Sequence, residues 1–352
     1  MSEPSEESIP SLPVMQKNKD LSRMNTLGIR AVASSYVDLQ NSSQLVHLKN
    51  EGFFENHSPL ILGGGSNILL KNNPQNPVLK ISIPGIEIKK EFNGDVLVKT
   101  AAGVTWHDLV TWTVENNLGG IENLALIPGT VGAAPIQNIG AYGVELNQVF
   151  ETLTAFDIAT GTFKTFAQSE CAFAYRDSIF KRELKNKVIV TDVTLRLSRP
   201  PHPITDSYYA LQDYFREQSI TSPSIKDVYD AVIYIRKSKL PDPAFLGNAG
   251  SFFKNPFINQ SVLTELQEEY PEVPFYPADD NLVKIPAGWL IEKAGWKGKR
   301  IGNVGTFENQ ALVIVNFGGA TGQEIFDHAQ KIQGSVQNKF GIELTPEVNV
   351  VE

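Results

Sequence analysis

Ser251 is the residue of this sequence whose surroundings most clearly raise a chemical question. It lies in Gly-Asn-Ala-Gly-Ser-Phe-Phe-Lys-Asn-Pro, residues 247–256, between Gly250 and two phenylalanines. No Gly-x-Ser-x-Gly motif surrounds it, and no aspartate or histidine stands beside it, so the pattern of an activated serine nucleophile is missing. The local sequence therefore leaves the role of this hydroxyl open.

Two other charged residues stand in short motifs. Arg176 lies in Tyr-Arg-Asp-Ser, residues 175–178, and an arginine fixed by the neighbouring Asp177 would suit a bidentate grip on a carboxylate. A surface ion pair between the two is the competing interpretation. Glu347 follows Pro346 near the end of the chain, where a lone glutamate is normally solvated.

Two glycine-rich runs could bring backbone close to a ligand. Residues 63–67, Gly-Gly-Gly-Ser-Asn, follow the apolar segment Leu60–Leu62, and successive N–H groups there could bind an anion. Ile68 in place of a third glycine excludes a Rossmann fingerprint, and no Gly-Lys-Ser/Thr follows, so it is not a Walker loop. A plain turn remains the alternative.

The second run extends from Asn123 to Gly143 and is almost uncharged. Its glycines and alanines leave room for a flat or bulky ligand, and Gln137 and Asn138 offer donors and acceptors without charge. Because a long, irregular and uncharged segment is unusual for a solvent loop, ligand contact is favoured.

Composition excludes several classes of protein. The net charge of −8 argues against a nucleic-acid scaffold, and the chain lacks the long apolar run of a membrane span. Cys171 is the single cysteine, which predicts a buried or half-buried thiol, no intrachain disulfide and a cytoplasmic protein. The five histidines lack metal-ligand spacing, so no metal is predicted. Residues 1–20 are polar and predict a disordered tail.

These residues must be positioned by strands and helices, which follow one another without the regular strand–helix–strand alternation of βαβ units. This pattern predicts an α+β fold. A hairpin is predicted at Thr160–Gly161, and a capping box formed by Thr321 and Glu324 predicts a final helix that ends at Gly341. Helices are predicted near 42–51, from 105 to Gly119, from 224 to 240, and near 260–270, 286–295 and 321–340.

Taken together and in order, the motifs resemble the UDP-N-acetylenolpyruvoylglucosamine reductase family, from Asn25 to Val348. The resemblance rests on the segments 63–67, 128–132, 137–143, 175–178, 240–243, 247–256 and 344–348.

The resemblance implies an enzyme of peptidoglycan precursor synthesis with bound FAD and NADPH as co-substrate. NADPH reduces FAD, and hydride then passes to C3 of the enolpyruvyl ether of UDP-N-acetylglucosamine. Ser251 matches the family's proton donor to C2, Arg176 would hold the substrate carboxylate, and Glu347 matches the catalytic glutamate. A serine can protonate carbon only if the carbanion is strongly basic and the alkoxide is stabilised.

Further roles follow from the same match. Tyr209 is the expected substrate clamp, with the adjacent Tyr208 as the alternative. Lys239, Asn255 and Gln310 match residues that contact the substrate nucleotide. The cofactor residues are expected to be Gly63, Gly64, Gly65, Ser66, Asn67, Gly132, Ala133, Ile136, Gly140, Tyr142 and Arg236.

The implied fold is α+β, with a two-part FAD-binding module (PCMH-like) and a C-terminal α+β substrate-binding domain. After the tail, the expected boundaries are 21–83, 84–240 and 241–345, with a strand at 346–352 that carries Glu347. The expected partner is the UDP-sugar substrate, without nucleic acid or membrane, and the protein is expected to be a monomer. The rival hypotheses are another FAD-dependent oxidase of an alcohol or hydroxy acid and a catalytically silent flavin- or sugar-nucleotide-binding protein.

Overall fold

The chain divides into two compact units in a computed structural model that describes residues 12–278 and 281–352. Among the described residues, the first unit contains 12–19, then 33–64 and 75–233. The second contains 20–32, 65–74 and 234–352. Each unit is therefore assembled from separated stretches of sequence, and the chain passes from one to the other between Gly64 and Gly65.

The strands of the described residues are mostly short. They are β1 Met15–Asp20, β2 Val32–Leu39, β3 Leu60–Leu62, β4 Ile68–Leu70, β5 Val78–Ile81, β6 Ile86–Phe92, β7 Asp95–Ala101, β8 Gly140–Ala141, β9 Val144–Glu145, β10 Phe150–Asp157, β11 Thr162–Ala167, β12 Val188–Ser198, β13 Gly247–Ser251, β14 Phe257–Asn259, β15 Tyr276–Pro277, β16 Leu282–Lys284, β17 Arg300–Ile301, β18 Val304–Thr306, β19 Val313–Asn316 and β20 Asn349–Val351.

The α-helices of the described residues lie between these strands. They are α1 Ser43–Asn50, α2 Phe53–Asn56, α3 Trp106–Glu115, α4 Tyr209–Glu217, α5 Ile225–Lys239, α6 Gln260–Glu269, α7 Ala287–Lys293 and α8 Gly322–Phe340. Among them, no helix is both long and apolar enough to cross a lipid bilayer.

The first unit is built on two sheets. One has the order β1-β2-β5-β3, in which β5 pairs in parallel with both β2 and β3. The other is the antiparallel sheet β11-β10-β12-β7-β6. Buried residues of both sheets and of α1 form one core, including Leu39, Leu45, Leu79, Phe156 and Ile189. Ile61 of β3 packs against this core, which thereby fixes the strand that leads into the first glycine-rich run.

The second unit carries shorter sheets. The order β13-β19-β18-β17 forms an antiparallel sheet, β14-β16-β15 a smaller one, and β20 pairs in parallel with β4. Helix α8 begins at the predicted capping box, because Thr321 Oγ1 accepts from the Glu324 N–H and the Glu324 carboxylate accepts from the Thr321 N–H. It ends at Gly341, whose φ of 67° is the left-handed cap that the sequence predicted.

Several predicted elements differ from the structure. Residues 15–20 form β1 beside β2 and are not part of a disordered tail, while residues 1–11 lie outside the described part.

Helix α3 ends at Glu115, before Gly119, because Asn117 already takes a φ of 55°. The side chain of Thr105, which precedes α3, makes no cap hydrogen bond. Helix α4 was not predicted, and Glu347 precedes β20 instead of lying inside a strand.

Candidate active site

The first glycine run meets the second within the first unit. A Cβ on Gly64 would lie 2.7 Å from Gly129 Cα, and one on Gly63 would lie 2.7 Å from Thr130 Oγ1. Only glycine allows the two backbones to approach so closely. The triple glycine is therefore a close-packed junction and not a plain turn.

The second run folds as a short 3₁₀ helix, Val131–Gln137, that packs on the strands beneath it. A Cβ on Gly132 would lie 2.5 Å from Ala102 Cβ, whereas Ala133 is exposed. The buried Ser178 hydroxyl donates to the Ile136 carbonyl at 2.7 Å. The Tyr-Arg-Asp-Ser motif is thus tied directly to the second glycine run.

Arg176 sits at a strained position of a tight turn. Ala174 and Asp177 exchange backbone hydrogen bonds, and Arg176 between them has a φ of 53°. Its Nη2 donates to the Gly140 carbonyl at 2.7 Å. A non-glycine residue in the left-handed region raises the free energy of the folded state, and the surrounding contacts must offset this strain. Such strained residues are frequent at functional sites.

The predicted partner of Arg176 was wrong. The Asp177 carboxylate pairs with Arg182, because the turn directs the two neighbouring side chains to different partners. The head group of Arg176 is held instead by the backbone of the second run at Gly140.

Asn123 is a functional candidate that sequence reasoning missed. Its side chain is buried, and Nδ2 donates to the carbonyls of Tyr142 and Thr205 at 3.0 and 2.8 Å. It thereby ties the second run to the segment that leads into α4. At the start of that helix the Tyr208 ring contacts the Tyr142 ring edge to face, with 5.2 Å between centroids.

Tyr209 has different surroundings from Tyr208. It is 73% exposed, and the neighbouring Asp213 carboxylate raises the pKa of its phenol. Within the first unit, Tyr208 is therefore the tyrosine that lies against a predicted cofactor residue.

In the second unit, Ser251 and Glu347 lie on adjoining stretches of backbone. The Glu347 N–H donates to the carbonyl of Phe252, the residue after Ser251, at 2.8 Å, and Lys254 N–H donates to Thr345 at 2.9 Å. Both side chains are half-buried. Two residues predicted separately from distant motifs are thus brought together by a short antiparallel ladder.

The turn before Ser251 is set by Asn248. The Asn248 Oδ1 accepts from the Gly250 N–H at 3.0 Å, and its Nδ2 donates to the carbonyls of Pro241 and Leu246. Gly250 has a φ of 67°, and the pairing of β13 with β19 is irregular there. This bulge fixes the direction in which the strand presents Ser251.

Asn67 joins the end of the first glycine run to Glu347. Its Nδ2 donates to the Glu347 carbonyl at 3.3 Å, and its own carbonyl accepts from Asn349. Gly65 of the same run lies against Met24, since a Cβ there would come within 1.9 Å of the Met24 carbonyl oxygen. Gly65, Ser66 and Asn67 therefore belong to the second unit, and Gly63 and Gly64 to the first.

The predicted nucleotide contacts fall into two groups within the second unit. The Asn255 Oδ1 accepts from Ala287 N–H at 2.9 Å, and a Cβ on Gly288 would lie 3.0 Å from Gln310 Oε1, so both amides lie at the start of α7. Lys239, the remaining nucleotide contact, is exposed at the end of α5. Arg236, which was predicted to contact the cofactor, is half-buried one turn earlier on the same helix.

The residues of the glycine runs fit a flavin dinucleotide. Gly64 and Ala133 present exposed backbone without bulky side chains, and Lys80 Nζ donates to the Gly63 carbonyl at 2.7 Å. Backbone N–H groups with a cation beneath them suit a diphosphate. The other residues of the second glycine run are almost all uncharged, which suits contact with a flat aromatic ring system.

His328 and the cysteine have structural surroundings. Burial lowers the pKa of His328 to about 4, and its Nε2 lies 3.2 Å from Thr306 Oγ1. Cys171 is buried as predicted, and burial raises the pKa of its thiol to about 12. Among the described residues no three His, Cys, Asp or Glu side chains are grouped to hold a metal ion.

Known proteins match the chain over nearly its whole length. A model of the C-terminal domain of UDP-N-acetylenolpyruvoylglucosamine reductase matches residues 242–351, and an FAD binding domain model matches residues 36–167. The reductase of Flavobacterium johnsoniae is 47% identical over 96% of this chain and 99% of its own. That of Amoebophilus asiaticus is 48% identical over the same shares.

A solved structure agrees in fold. The UDP-N-acetylenolpyruvylglucosamine reductase of Thermus caldophilus superposes with a TM-score of 0.67 at 23% identity, over 97% of this chain and 99% of that one. Together with the domain matches, it confirms the predicted α+β fold with an FAD-binding part and a C-terminal domain of the reductase type.

Proposed function

The chain belongs to the UDP-N-acetylenolpyruvoylglucosamine reductase family, and from that premise we propose that Ser251, Glu347 and Arg176 carry out the chemistry of its reaction. The protein is an FAD-dependent oxidoreductase that reduces the enolpyruvyl ether of UDP-N-acetylglucosamine, a precursor of peptidoglycan, with NADPH as reductant.

The observation that carries the proposal is the backbone ladder between Ser251 and Glu347. The hydrogen bond from Glu347 N–H to the Phe252 carbonyl, at 2.8 Å, sets the two residues at one place in the second unit. A serine hydroxyl can pass a proton to a strongly basic carbon centre if the resulting alkoxide is stabilised by nearby donors. Ser251 is proposed as the proton donor. Glu347, protonated or sharing a hydrogen bond with the substrate carboxylate, is proposed to stabilise the developing negative charge.

Arg176 is proposed to hold the substrate carboxylate. Its guanidinium is fixed through Nη2 to the Gly140 carbonyl, and its strained backbone limits where the head group can point. A planar fork of N–H donors holds a carboxylate in one orientation, which a flexible ammonium cannot do. Charge that spreads into this carboxylate during the reaction would be stabilised by the same donors.

FAD, when bound, supplies the hydride chemistry. The residues proposed to hold it are Gly63, Gly64, Gly65, Ser66 and Asn67 of the first run, Gly132, Ala133, Ile136, Gly140 and Tyr142 of the second, and Arg236. The close packing of Gly64 on Gly129 supports this assignment, because it leaves backbone and not side chains at the surface of the two runs.

The nucleotide of the substrate is proposed to contact Lys239, Asn255 and Gln310. Asn255 and Gln310 lie together at the start of α7, which supports a shared role. For the clamp, Tyr209 was expected, but the contact of Tyr208 with Tyr142 supports Tyr208.

Other features of the proposal concern the whole protein. We propose that the domains divide at 21–83, 84–240 and 241–345. The protein is further proposed to be cytoplasmic and monomeric, and to bind neither nucleic acid nor membranes. Light scattering on the purified protein measures the monomeric state, and a dimer mass would overturn it.

The test of the proposed function is an anaerobic rapid-mixing experiment. The purified protein is reduced with NADPH until the absorbance of the oxidised flavin disappears, and the enolpyruvyl ether is then added. Rapid return of the oxidised spectrum is expected. A flavin that stays reduced until air is admitted would support the oxidase alternative, and a protein that binds no FAD would contradict the proposal.

A further inference from the structure

Lys80 lies beneath the first glycine run, on the central strand of the parallel pairing. Along β5 it is in register with Asp38 of β2 and Leu62 of β3. Since Gly63 follows Leu62 directly, the lysine side chain lies at the carboxyl end of β3. There its Nζ donates to the Gly63 carbonyl at 2.7 Å.

This hydrogen bond fixes the orientation of one peptide group. In a planar trans peptide, the carbonyl of one residue and the N–H of the next point in opposite directions. With the Gly63 carbonyl turned towards Lys80, the Gly64 N–H must point away from it. Gly64 is exposed, so this donor faces the open side of the run.

The position also places a positive charge behind that donor. Burial lowers the pKa of Lys80, and the neighbouring Asp38 carboxylate opposes this shift. One oxygen of that carboxylate, Oδ1, is buried without a hydrogen-bond partner. Burying a cation raises the free energy of the folded protein unless negative groups lie nearby. An anion that binds above Lys80 is therefore attracted to its charge and lowers this free energy.

We propose that Lys80 is a positioning residue for the diphosphate of the dinucleotide. It turns the Gly63–Gly64 peptide so that the Gly64 N–H meets the ligand, and it supplies a positive charge from beneath. The inference rests on the proposed FAD site and adds to it a residue outside the glycine motifs.

The test is a titration of flavin-free protein with FAD, followed by the quenching of flavin fluorescence. Lys80→Met removes both donor and charge, and Lys80→Arg keeps both. Lys164→Met is the matched control, since Lys164 is a lysine of the same unit that pairs with an aspartate, Asp157, at 2.6 Å, but lies on the outer strand β11.

Lys80→Met should raise the Kd for FAD by about tenfold or more, the scale of one lost charged hydrogen bond. Lys80→Arg should stay within about threefold of the unchanged protein, and Lys164→Met should not differ from it. The Kd of Lys80→Met should also depend less steeply on salt concentration, because one cation no longer faces the diphosphate. A merely structural lysine would leave that salt dependence unchanged.

A Kd for Lys80→Met equal to that of Lys164→Met would overturn the inference. If Lys80→Met does not fold, as judged by thermal unfolding without FAD, Lys80→Gln replaces it in the same titration with the same expectation. Wild-type protein that fails to bind FAD would contradict the proposed function itself, whereas tight binding by both wild type and Lys80→Met contradicts the role of Lys80 alone.

Discussion

The two units hold their functional residues by different means. In the first unit, Gly63, Gly64, the second glycine run and Arg176 lie in irregular backbone. This backbone is fixed by close glycine contacts and by side chains bonded to carbonyls, as where Ser178 donates to Ile136. In the second unit, Ser251 and Glu347 lie on strand-like backbone joined by a ladder of main-chain hydrogen bonds.

This difference predicts how each region responds to substitution. A ladder of main-chain bonds survives the loss of a side chain, so catalytic groups in the second unit can be removed without disturbing the fold. In the first unit the shape of the backbone depends on particular side chains and on glycines without side chains. Substitution there should disturb ligand binding and stability together.

Arg176→Lys should give the largest effect of the variants that probe this contrast. It keeps the charge but loses the fork that meets a carboxylate, so kcat/KM for the enolpyruvyl substrate should fall by about 10²-fold. Reduction of the flavin by NADPH, measured by rapid mixing, should change by less than about threefold. An equal loss in both half-reactions would mean that Arg176 supports the cofactor site and not the substrate.

Gly64→Ala should destabilise the first unit by about 1–3 kcal/mol, because the new Cβ must displace backbone. That atom would lie 2.7 Å from Gly129 Cα. Gly334→Ala is the matched control in the second unit, since Gly334 is exposed on α8 with nothing within 4 Å of an added Cβ. It should be neutral or stabilising by up to about 1 kcal/mol. Urea unfolding measures both, and similar losses in the two variants would remove the contrast.

His328 makes the second unit sensitive to acid. Its folded pKa of about 4 lies below the ordinary value of 6.5, because burial disfavours the charged ring. The unfolded state therefore binds more protons, and stability should fall as the pH drops from 6.5 towards 4. His328→Gln should flatten this part of the pH profile in urea unfolding. An unchanged slope would assign the acid sensitivity to other groups.

Glu122 should act in the opposite direction in the first unit. Burial raises the pKa of this carboxyl group, although its hydrogen bonds with the backbone, including that of Gly120, oppose the shift. The folded state then holds the proton more tightly, so this contribution is present at low pH and is lost as the pH rises through the folded pKa. Glu122→Gln should therefore lessen the loss of stability as the pH rises above the ordinary carboxyl value of 4.5, as measured by urea unfolding, and a steeper loss would contradict this sign.

The smallest expected effect separates two neighbouring tyrosines. If Tyr208 is the clamp, Tyr208→Phe should raise the substrate KM several-fold with little change in kcat, on the order of one lost hydrogen bond. Tyr209→Phe is the control and should leave KM unchanged, because Tyr209 is exposed and its hydroxyl lies near Asp213. The reverse result would restore the assignment made from the sequence.

The sequence was most informative where structure depends on neighbouring residues. The cap at Thr321 and the end of α8 at Gly341 were predicted correctly, because these signals act within one turn. Helix α4 was missed although Leu211 and Phe215, four residues apart, are both buried, since its first turn has no side-chain cap.

Contacts between distant segments could not be predicted. Nothing near Ser251 or Glu347 in the sequence shows that Phe252 and Glu347 share a hydrogen bond. The pairing of Asp177 with Arg182 likewise depends on the turn that gives Arg176 its positive φ. Both facts require the folded backbone, and both decide how the site is interpreted.

The most direct test of the central claim is a comparison of the two half-reactions in Ser251→Ala. Because the ladder to Glu347 uses main-chain atoms, the variant should keep its fold, bind FAD and be reduced by NADPH at the normal rate. Reoxidation by the enolpyruvyl substrate should slow by on the order of 10²-fold or more, the scale of a lost proton donor. Equal slowing of both half-reactions, or normal reoxidation by the substrate, would contradict the role of Ser251.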